Sequence, residues 1–135
     1  MAARVSPTAE EAASVAEFRV ALRRFQRQTE VVARDYGLTP AWYMLMLQIK
    51  GAPDLSERTT VTALARRLEL AQSSVTELVG RAEQAGLIER APSDEDARVV
   101  FLRLSPRGEE VLGRAFRSLA SERQALREAI AGLDV

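Results

Sequence analysis

The stretch Thr60–Gly108 decides the fold and reads TVTALARRLELAQSSVTELVGRAEQAGLIERAPSDEDARVVFLRLSPRG. Its first half carries apolar residues at helical spacing in two short segments, Val61–Leu68 and Gln72–Ala85, with a three-residue turn between them. In that turn Leu70 is expected to fill the core between the two segments. Gly86 follows the second segment, where glycine commonly ends a helix. Two short amphipathic helices joined by so tight a turn predict a helix-turn-helix.

The second half of the stretch has the character of two strands. Leu87–Ala91 reads as one strand, and Val99–Leu104 alternates into a second one. The segment between them, Pro92–Ala97, is rich in turn-forming residues. A helix-turn-helix followed by a two-stranded wing is the element order of a winged helix, whose second helix usually enters a DNA major groove. The residues therefore predict a winged helix with a nucleic-acid partner.

The composition is that of one globular domain. The chain has 135 residues, of which 47% are apolar and 28% charged, and this is enough to form a core. No run approaches the roughly 18 uninterrupted apolar residues of a membrane span, and the N-terminal residues lack the apolar segment of a secretory signal. We therefore expect a single domain, residues 1–135, in the cytoplasm and without a membrane partner.

The sequence contains neither Cys nor His. This excludes disulfides, thiol redox sensing, zinc sites built from Cys and His, and acid–base catalysis by His. Nothing in the sequence places paired carboxylates beside a nucleophilic side chain. We expect no enzymatic activity, no metal site and no cofactor.

The charge balance is unusual for a protein that binds DNA. Nineteen basic residues face nineteen acidic ones and the pI is about 6.4, whereas many DNA-binding domains are basic. All the basic residues except Lys50 are Arg, which reflects either a GC-rich coding sequence or the use of Arg as a fork for phosphate and guanine. From Thr60 to Leu104 the net charge is −1. Because non-specific affinity follows the number of phosphates neutralised, we predict weak, salt-sensitive binding or a strong reliance on ligand state.

The N-terminal segment is predicted to form a long helix. From about Thr8, apolar residues follow a 3-4 spacing between Val15 and Tyr36, so that they share one stripe. Gly37 ends the segment. A stripe of this length, with aromatic residues in it, favours packing against a partner helix over binding of a cofactor.

Two further helices are predicted to begin with a hydroxyl cap followed by proline. Thr39-Pro40 starts a short helix that is apolar nearly all round and should therefore be central and buried. Trp42 and Tyr43 in this helix either belong to the core or line a ligand pocket. Ser105-Pro106 repeats the start, and one long amphipathic helix is predicted to run from there to about Ala131.

Three motifs match a known family. The run Asp96–Gly108 fits the pattern D-x-R-x-x-x-L-x-L-T/S-x-x-G at every fixed position. Residues Ser73–Thr76, with the apolar residues, Arg81 and Gly86 that follow, match a recognition helix, and Leu38–Trp42 gives the sequence L-T-P-x-W. Together these motifs resemble the MarR (multiple antibiotic resistance regulator) family of bacterial winged-helix transcription factors. The resemblance covers roughly residues 10–120.

This resemblance implies a mainly α fold with a small β component (α+β). A winged helix-turn-helix lobe at about residues 38–104 would lie between dimerisation helices at about 8–37 and 105–135. In a homodimer, two recognition helices about 34 Å apart would read the pseudo-palindromic half-sites of a double-stranded DNA operator, with each wing at the adjacent minor groove. Small-molecule effectors often bind such proteins between the dimerisation and DNA-binding regions and relieve repression. The resemblance therefore implies a ligand-responsive repressor.

The DNA-contacting residues expected on this basis lie in the recognition helix and the wing. They are Gln72, Ser73, Ser74, Thr76, Glu77, Arg81, Arg90 and Arg98. Asp96 is expected to pair with Arg98 and to have a structural role in the wing, although contact of Arg98 with a phosphate or the minor groove stays open. Trp42 and Tyr43 are the candidates for an effector pocket.

The sequence departs from the family pattern at the wing tip and in the recognition helix. Ala97 stands in an acidic tip where the family commonly has an Arg that enters the minor groove. Glu77 stands where the family often has Arg, and it either closes a capping box with Ser74, is simply solvated, or accepts a hydrogen bond from cytosine N4. Arg81 either reaches a phosphate or pairs with a neighbouring Glu.

A second function is compatible with the same fold, namely a winged-helix protein-interaction module with weak or lost DNA binding. The neutral net charge, Ala97 and Glu77 favour this alternative. So does the expected absence of the further helix that many relatives carry after the long C-terminal one.

Overall fold

The computed structural model describes residues 5–133 and is mainly helical, with one small antiparallel sheet. The elements in chain order are α1 (Ala9–Asp35), α2 (Pro40–Lys50), β1 (Arg58–Thr59), α3 (Val61–Leu68), α4 (Gln72–Gln84), β2 (Ile88–Pro92), β3 (Val100–Leu104), α5 (Pro106–Ser118) and α6 (Ala120–Ala131). The predicted helix-turn-helix is α3 and α4, and the predicted wing is β2 and β3. The fold class predicted from the sequence is confirmed.

Four of the helices begin at a hydroxyl side chain that accepts a hydrogen bond from a backbone N–H of the first turn. These caps are Thr8, Thr39, Thr60 and Ser105. Such caps satisfy a donor that has no partner within the helix and stabilise it by about 1 kcal/mol each. The predicted helix starts at Thr39-Pro40 and Ser105-Pro106 are therefore confirmed.

The sheet has the strand order β1-β3-β2. In the wing, Ile88 lies opposite Leu104 and Pro92 opposite Val100, so that the hairpin is paired along its whole length. Leu102 and Leu104 are buried against the helices, whereas Val100, at the free end, is exposed. The base of the wing therefore belongs to the core and its tip projects from it.

The core lies in the lobe formed by α2 to α5. Its largest fully buried side chains are Leu45, Met46, Ile49, Leu64, Leu102, Leu119, Val75 and Val79. Helix α2 supplies three of these and is central, as its apolar sequence predicts. By contrast, α1 buries only Thr29 and Ala33, and α6 buries no residue. Helices α1 and α6 pack on each other at the side of the lobe and keep long exposed faces.

The prediction of one long helix from Ser105 to Ala131 is wrong. The chain leaves helical geometry at Leu119 (φ −97°, ψ 9°), whose side chain is 1% exposed and anchored in the core. Beyond it, Arg123 donates a hydrogen bond of 2.7 Å to the carbonyl of Phe116 and lies over its ring, which satisfies an acceptor at the end of α5. Helix α6 is therefore a separate helix packed on α1, and the expectation that no further helix follows is also wrong.

Leu70 does not fill the core between α3 and α4, as the sequence suggested, but is 44% exposed. The reason is the backbone of Glu69, which takes a left-handed conformation (φ 55°) and turns the chain sharply after α3. The N–H of Leu70 then bonds the carbonyl of Ala65, which closes the end of α3. The side chain is thereby directed out of the core.

Two ion pairs join the end of α2 to the loop before β1 and to α5. The ammonium of Lys50, at the C-terminal end of α2, pairs with Glu57 and with Glu109, at 2.9 Å for the latter. The hydrogen bonds that the Lys50 ammonium donates to these two carboxylates raise the pKa of Lys50, and the bond to Glu57 contributes most. No helix in residues 5–133 has the length and apolar character needed to cross a membrane.

Candidate nucleic-acid interface

Helix α4 presents a continuous polar face opposite the core. Val75, Val79 and Ala82 are buried on one side of the helix. The candidate DNA-contacting residues of this helix are all exposed, namely Gln72, Ser73, Ser74, Thr76, Glu77 and Arg81, and Gly80, also predicted to face outward, is half-buried. The structure thus brings together on one surface the six candidate residues of the recognition helix.

The N-terminus of α4 is open. Its N-cap residue is Ala71, which has extended backbone geometry (φ −62°, ψ 144°) and no side chain able to accept a hydrogen bond. Within the described part of the chain, the N–H groups of Gln72 and Ser73 have no acceptor. These free donors stand at the positive end of the helix dipole, which is a favourable place for a phosphate.

Of the four uncharged candidate side chains on α4, two are held in place by hydrogen bonds and two are not. Gln72 Nε2 donates to Thr62 Oγ1 of α3 at 3.2 Å, and Thr76 Oγ1 donates to the backbone carbonyl of Gln72 at 2.9 Å. The hydroxyls of Ser73 and Ser74 have no hydrogen bond to any described residue. Thr62 was not among the predicted site residues. Its exposed position, two residues after the cap of α3, is the feature that could have indicated it.

Glu77 and Arg81 form an ion pair along the helix surface. Arg81 Nη2 donates to Glu77 Oε1 at 2.7 Å, and the two side chains are 65% and 67% exposed. The capping box of Glu77 with Ser74 is therefore wrong, because α4 begins at Gln72 and Ser74 is already its third residue. Of the two readings of Arg81, its pairing with a neighbouring Glu is the one observed.

The wing tip is a compact turn organised by Ser93 and Asp96. The Ser93 hydroxyl accepts hydrogen bonds from the N–H groups of Glu95 and Asp96. One carboxylate oxygen of Asp96 accepts from the N–H of Arg98 at 3.0 Å, and both oxygens accept from its guanidinium. These bonds from Arg98, those of its side chain first, lower the pKa of Asp96. The predicted pairing of Asp96 with Arg98 is present, and the Arg98 side chain is still 90% exposed.

Arg90 and Arg98 line one groove between the wing and the start of α3. The groove has a volume of about 410 Å³, and Thr60 and Thr62 form part of its opposite wall. Arg90 is itself paired with Glu83 of α4 at 3.0 Å. The structure therefore places the two wing arginines beside the first turn of α3.

Each arginine of the candidate set has its own carboxylate. Arg81, Arg90 and Arg98 pair with Glu77, Glu83 and Asp96, respectively. All six side chains are at least 37% exposed, so these pairs contribute little to stability. The net charge of this surface can be read from the sequence, but this one-to-one pairing cannot, because it depends on side-chain positions across different elements.

The two candidates for an effector pocket, Trp42 and Tyr43, lie in different surroundings in the structure. A cavity of about 580 Å³ lies between α1 and α2, and Tyr43 is one of its lining residues. Tyr43 is 3% exposed, its hydroxyl has no hydrogen bond to the described residues, and burial raises its pKa. Since no described side-chain oxygen is both fully buried and unpartnered, this hydroxyl keeps a small accessible area. Trp42 does not line the cavity but packs against the core, because successive helical residues point about 100° apart.

A helix-turn-helix with an exposed second helix and a β-hairpin beside it defines the winged-helix class. Within that class, residues 36–99 match the sequence model of the MarR family. The chain belongs to the MarR family of winged-helix regulators.

Similar proteins are transcriptional regulators rather than enzymes. A putative transcriptional regulatory protein for the hcr operon of Thauera aromatica is 33% identical over 70% of this chain and 52% of its own length. The transcriptional repressor MdtR of Bacillus subtilis is 36% identical over 56% of this chain and 49% of its own length. A crystal structure of a mutant MarR of E. coli with operator DNA has a TM-score of 0.66 and 18% identity, covering 87% of this chain and 79% of that one. This chain spans 49% to 60% of the length of the curated relatives it matches.

Proposed function

We propose that this protein is a sequence-specific DNA-binding transcriptional regulator. The observation that carries the proposal is the polar face of α4, with its open N-terminus, beside a wing that presents Arg98. Helix α4 would enter the major groove, and Arg98 would reach the adjacent backbone or minor groove. The similarity to regulators and to a MarR protein crystallised with its operator supports this role.

The proposed functional form is a homodimer held by α1 and α6, with residues of about 38–104 forming the DNA-binding lobe. Four large apolar side chains on these two helices are exposed to solvent, namely Val15, Val20, Val31 and Ile130. Val20 and Val31 lie on the same side of α1, about 20° apart, and a second copy packed on that side would remove them from water. A two-fold dimer would also match a pseudo-palindromic operator.

The pairing of arginines with carboxylates bears on affinity. For a phosphate to bind Arg81, Arg90 or Arg98, it must compete with a carboxylate that already holds the guanidinium. One lobe should therefore bind DNA weakly and in a salt-sensitive way, and the dimer would supply avidity. The proposed dimer and the proposed DNA binding thus depend on each other.

The function is tested by a fluorescence-anisotropy titration of the purified protein against DNA flanking its own gene, at two salt concentrations. We expect saturable binding at low salt that weakens steeply at the higher concentration. Scrambled DNA of the same length serves as the control. A protein shown to be dimeric that binds neither DNA saturably at low salt is not the regulator proposed here.

The one-to-one ion pairing also favours the second candidate, a protein-interaction module on the same fold. In that case the arginines on the surface of α4 and the wing would already be neutralised by their own carboxylates, without DNA. The same titration separates the two functions, because the module would show equal and weak affinity for flanking and scrambled DNA.

We further propose that the protein is a repressor released by a small molecule bound in the cavity between α1 and α2. The cavity size is within the usual range for small ligands, and Tyr43, which lines it, carries a hydroxyl without a hydrogen bond to the described residues. Because the sequence contains one Trp, ligand entry beside Tyr43 should change the fluorescence of Trp42. Ligands that change this signal should lower affinity for DNA, and Tyr43→Phe should weaken the ligands that accept or donate a hydrogen bond there.

A further inference from the structure

Glu77 occupies the outermost position on α4. It stands two residues from both Val75 and Val79, which are buried, and so lies roughly 200° round the helix from each. On the same outer ridge Ser73 is short, and Gly80 has no side chain at all. A Cβ at Gly80 would meet nothing within 4 Å. The Glu77 carboxylate, with the Arg81 guanidinium bonded to it, therefore stands out from the middle of the face proposed to enter the groove.

The ion pair with Arg81 leaves half of this carboxylate available. Arg81 occupies Oε1, and Oε2 has no hydrogen bond to a described residue. The guanidinium also offsets the negative charge that Glu77 would bring near the phosphates. Glu77 can therefore approach DNA as an acceptor whose charge is already partly neutralised.

A carboxylate in the major groove distinguishes bases by their donors. Cytosine presents the N4 amino donor, adenine presents its N6 donor beside the N7 acceptor, and guanine and thymine present acceptors at their edges. A carboxylate is attracted by the first, is partly repelled at adenine N7, and is repelled by guanine O6 and N7. The expected order of preference is cytosine, then adenine, then thymine and guanine.

We propose that Glu77 is a specificity-determining residue that selects cytosine at one position of each operator half-site by accepting a hydrogen bond from its N4 amino group. This inference rests on the proposed function, since it requires that α4 enters the major groove. Glu77, which departs from the family pattern, would then have a direct role in the choice of operator.

The experiment begins with selection of binding sites from a random double-stranded oligonucleotide pool by the wild-type protein. Affinities are then measured for the selected site and for its single-base variants, introduced symmetrically in both half-sites. At one position the wild type should prefer cytosine over guanine by about fivefold or more, the size of one base-edge contact. Glu77→Ala should remove the preference at this position and leave the other positions unchanged. Glu77→Gln should move it toward adenine, because an amide both donates and accepts.

The matched control is Glu110→Ala. Glu110 forms the same kind of pair on α5, with Arg114 at 2.8 Å, and the two side chains are 62% and 63% exposed. The control therefore loses an equivalent surface pair away from α4 and should keep the wild-type base preferences. A common thermal unfolding temperature for the variants would show that stability is not the cause of any difference.

The outcomes separate this inference from the function on which it rests. Wild-type protein that selects no sequence from the pool overturns both. Wild-type protein that selects a site, while Glu77→Ala and Glu77→Gln retain its preferences at every position, overturns the role of Glu77 alone. A preference that changes in the Glu77 variants and in Glu110→Ala alike also overturns it.

Discussion

Arg98 shows how a single residue can serve both the shape of the wing and its binding to DNA. It fastens Asp96 at the tip through its backbone N–H and its guanidinium, yet the side chain is almost fully exposed. The structural and DNA-binding readings of this residue are therefore compatible. Separating them requires measurements that respond to only one of the two.

The first prediction concerns affinity for DNA. Arg98→Ala should weaken operator binding about tenfold, the effect of one charge-assisted hydrogen bond of ~1.5 kcal/mol. The slope of log affinity against log salt should fall by about one for each phosphate that the variant no longer neutralises. Anisotropy titrations over a range of salt measure both.

Ser74→Ala should also weaken binding, whereas Arg114→Ala, which removes a paired arginine on α5, should not. Equal affinities for all three variants would contradict the proposed interface.

The second prediction concerns the tip itself. Because the Arg98 side chain is the main cause of the lowered pKa of Asp96, Arg98→Ala should raise that pKa toward its ordinary value of 3.8. A carboxyl titration followed by NMR measures it. Because the pKa of Asp96 is lower in the folded state than in the unfolded state, ionised Asp96 stabilises the fold. This stabilisation is complete above the unfolded-state pKa and is lost as the pH falls through the folded-state pKa. An Asp96 pKa that is the same in both proteins would mean that the pair does not form in solution.

At the scale of elements, α4 differs from the capped helices in having an open N-terminus. Ala71→Ser would supply the missing cap and should stabilise the fold by about 1 kcal/mol. The same change should weaken operator binding, because the new hydroxyl competes with phosphate for the free N–H groups. Urea unfolding and anisotropy measure the two effects, with Ala71→Gly as the variant that adds no hydroxyl. Stronger DNA binding by Ala71→Ser would contradict a phosphate at this helix end.

Two glycines in helices should respond in opposite ways to alanine. Gly80→Ala adds a methyl group in open space on α4 and should stabilise the protein by ~1 kcal/mol through helix propensity. At Gly108, in the first turn of α5, the new Cβ would collide with the carbonyl of Leu87, so this change should cost roughly 3 kcal/mol. Thermal unfolding of both variants checks the contrast. The close approach to Leu87 also gives a physical reason for the last glycine of the wing pattern.

The sequence predicts local structure here better than it predicts tertiary contacts. Hydroxyl caps, proline and helical spacing place the starts of α1, α2, α3 and α5 correctly, because these signals act within one turn of helix. The break at Leu119 was missed because its cause is long-range, namely burial of that side chain in the core and capping of α5 by Arg123. The pairing of Arg90 with Glu83 and the separation of Trp42 from the cavity were missed for the same reason.

At the scale of the whole molecule, α1 and α6 extend from the side of a well-packed lobe. Their ends meet where Ser14 Oγ donates to the carbonyl of Gly132 at 3.2 Å. Ile130 is 52% exposed near this junction, and Val15 lies next to Ser14. The pair of helices thus carries apolar side chains that the lobe itself does not cover.

The prediction at this scale is that Ile130→Glu weakens the dimer, because a carboxylate would be buried in the interface without a partner. Sedimentation velocity should show a shift toward monomer, and operator affinity should fall with it as avidity declines. The control is Leu55→Glu, which changes an apolar side chain that is 86% exposed on the loop before β1. Equal dimer affinities for the two variants would place the interface elsewhere.

The ion pairs of Lys50 have a practical consequence for chemical labelling. Lys50 is the only lysine of the chain, so an amine-reactive reagent can modify a single side chain. The carboxylates of Glu57 and Glu109 favour its protonated form, and only the neutral amine reacts, so acylation should be slow while the junction with α5 is closed. The rate of that one reaction would therefore report, without any introduced probe, whether effector or DNA separates the end of α2 from α5.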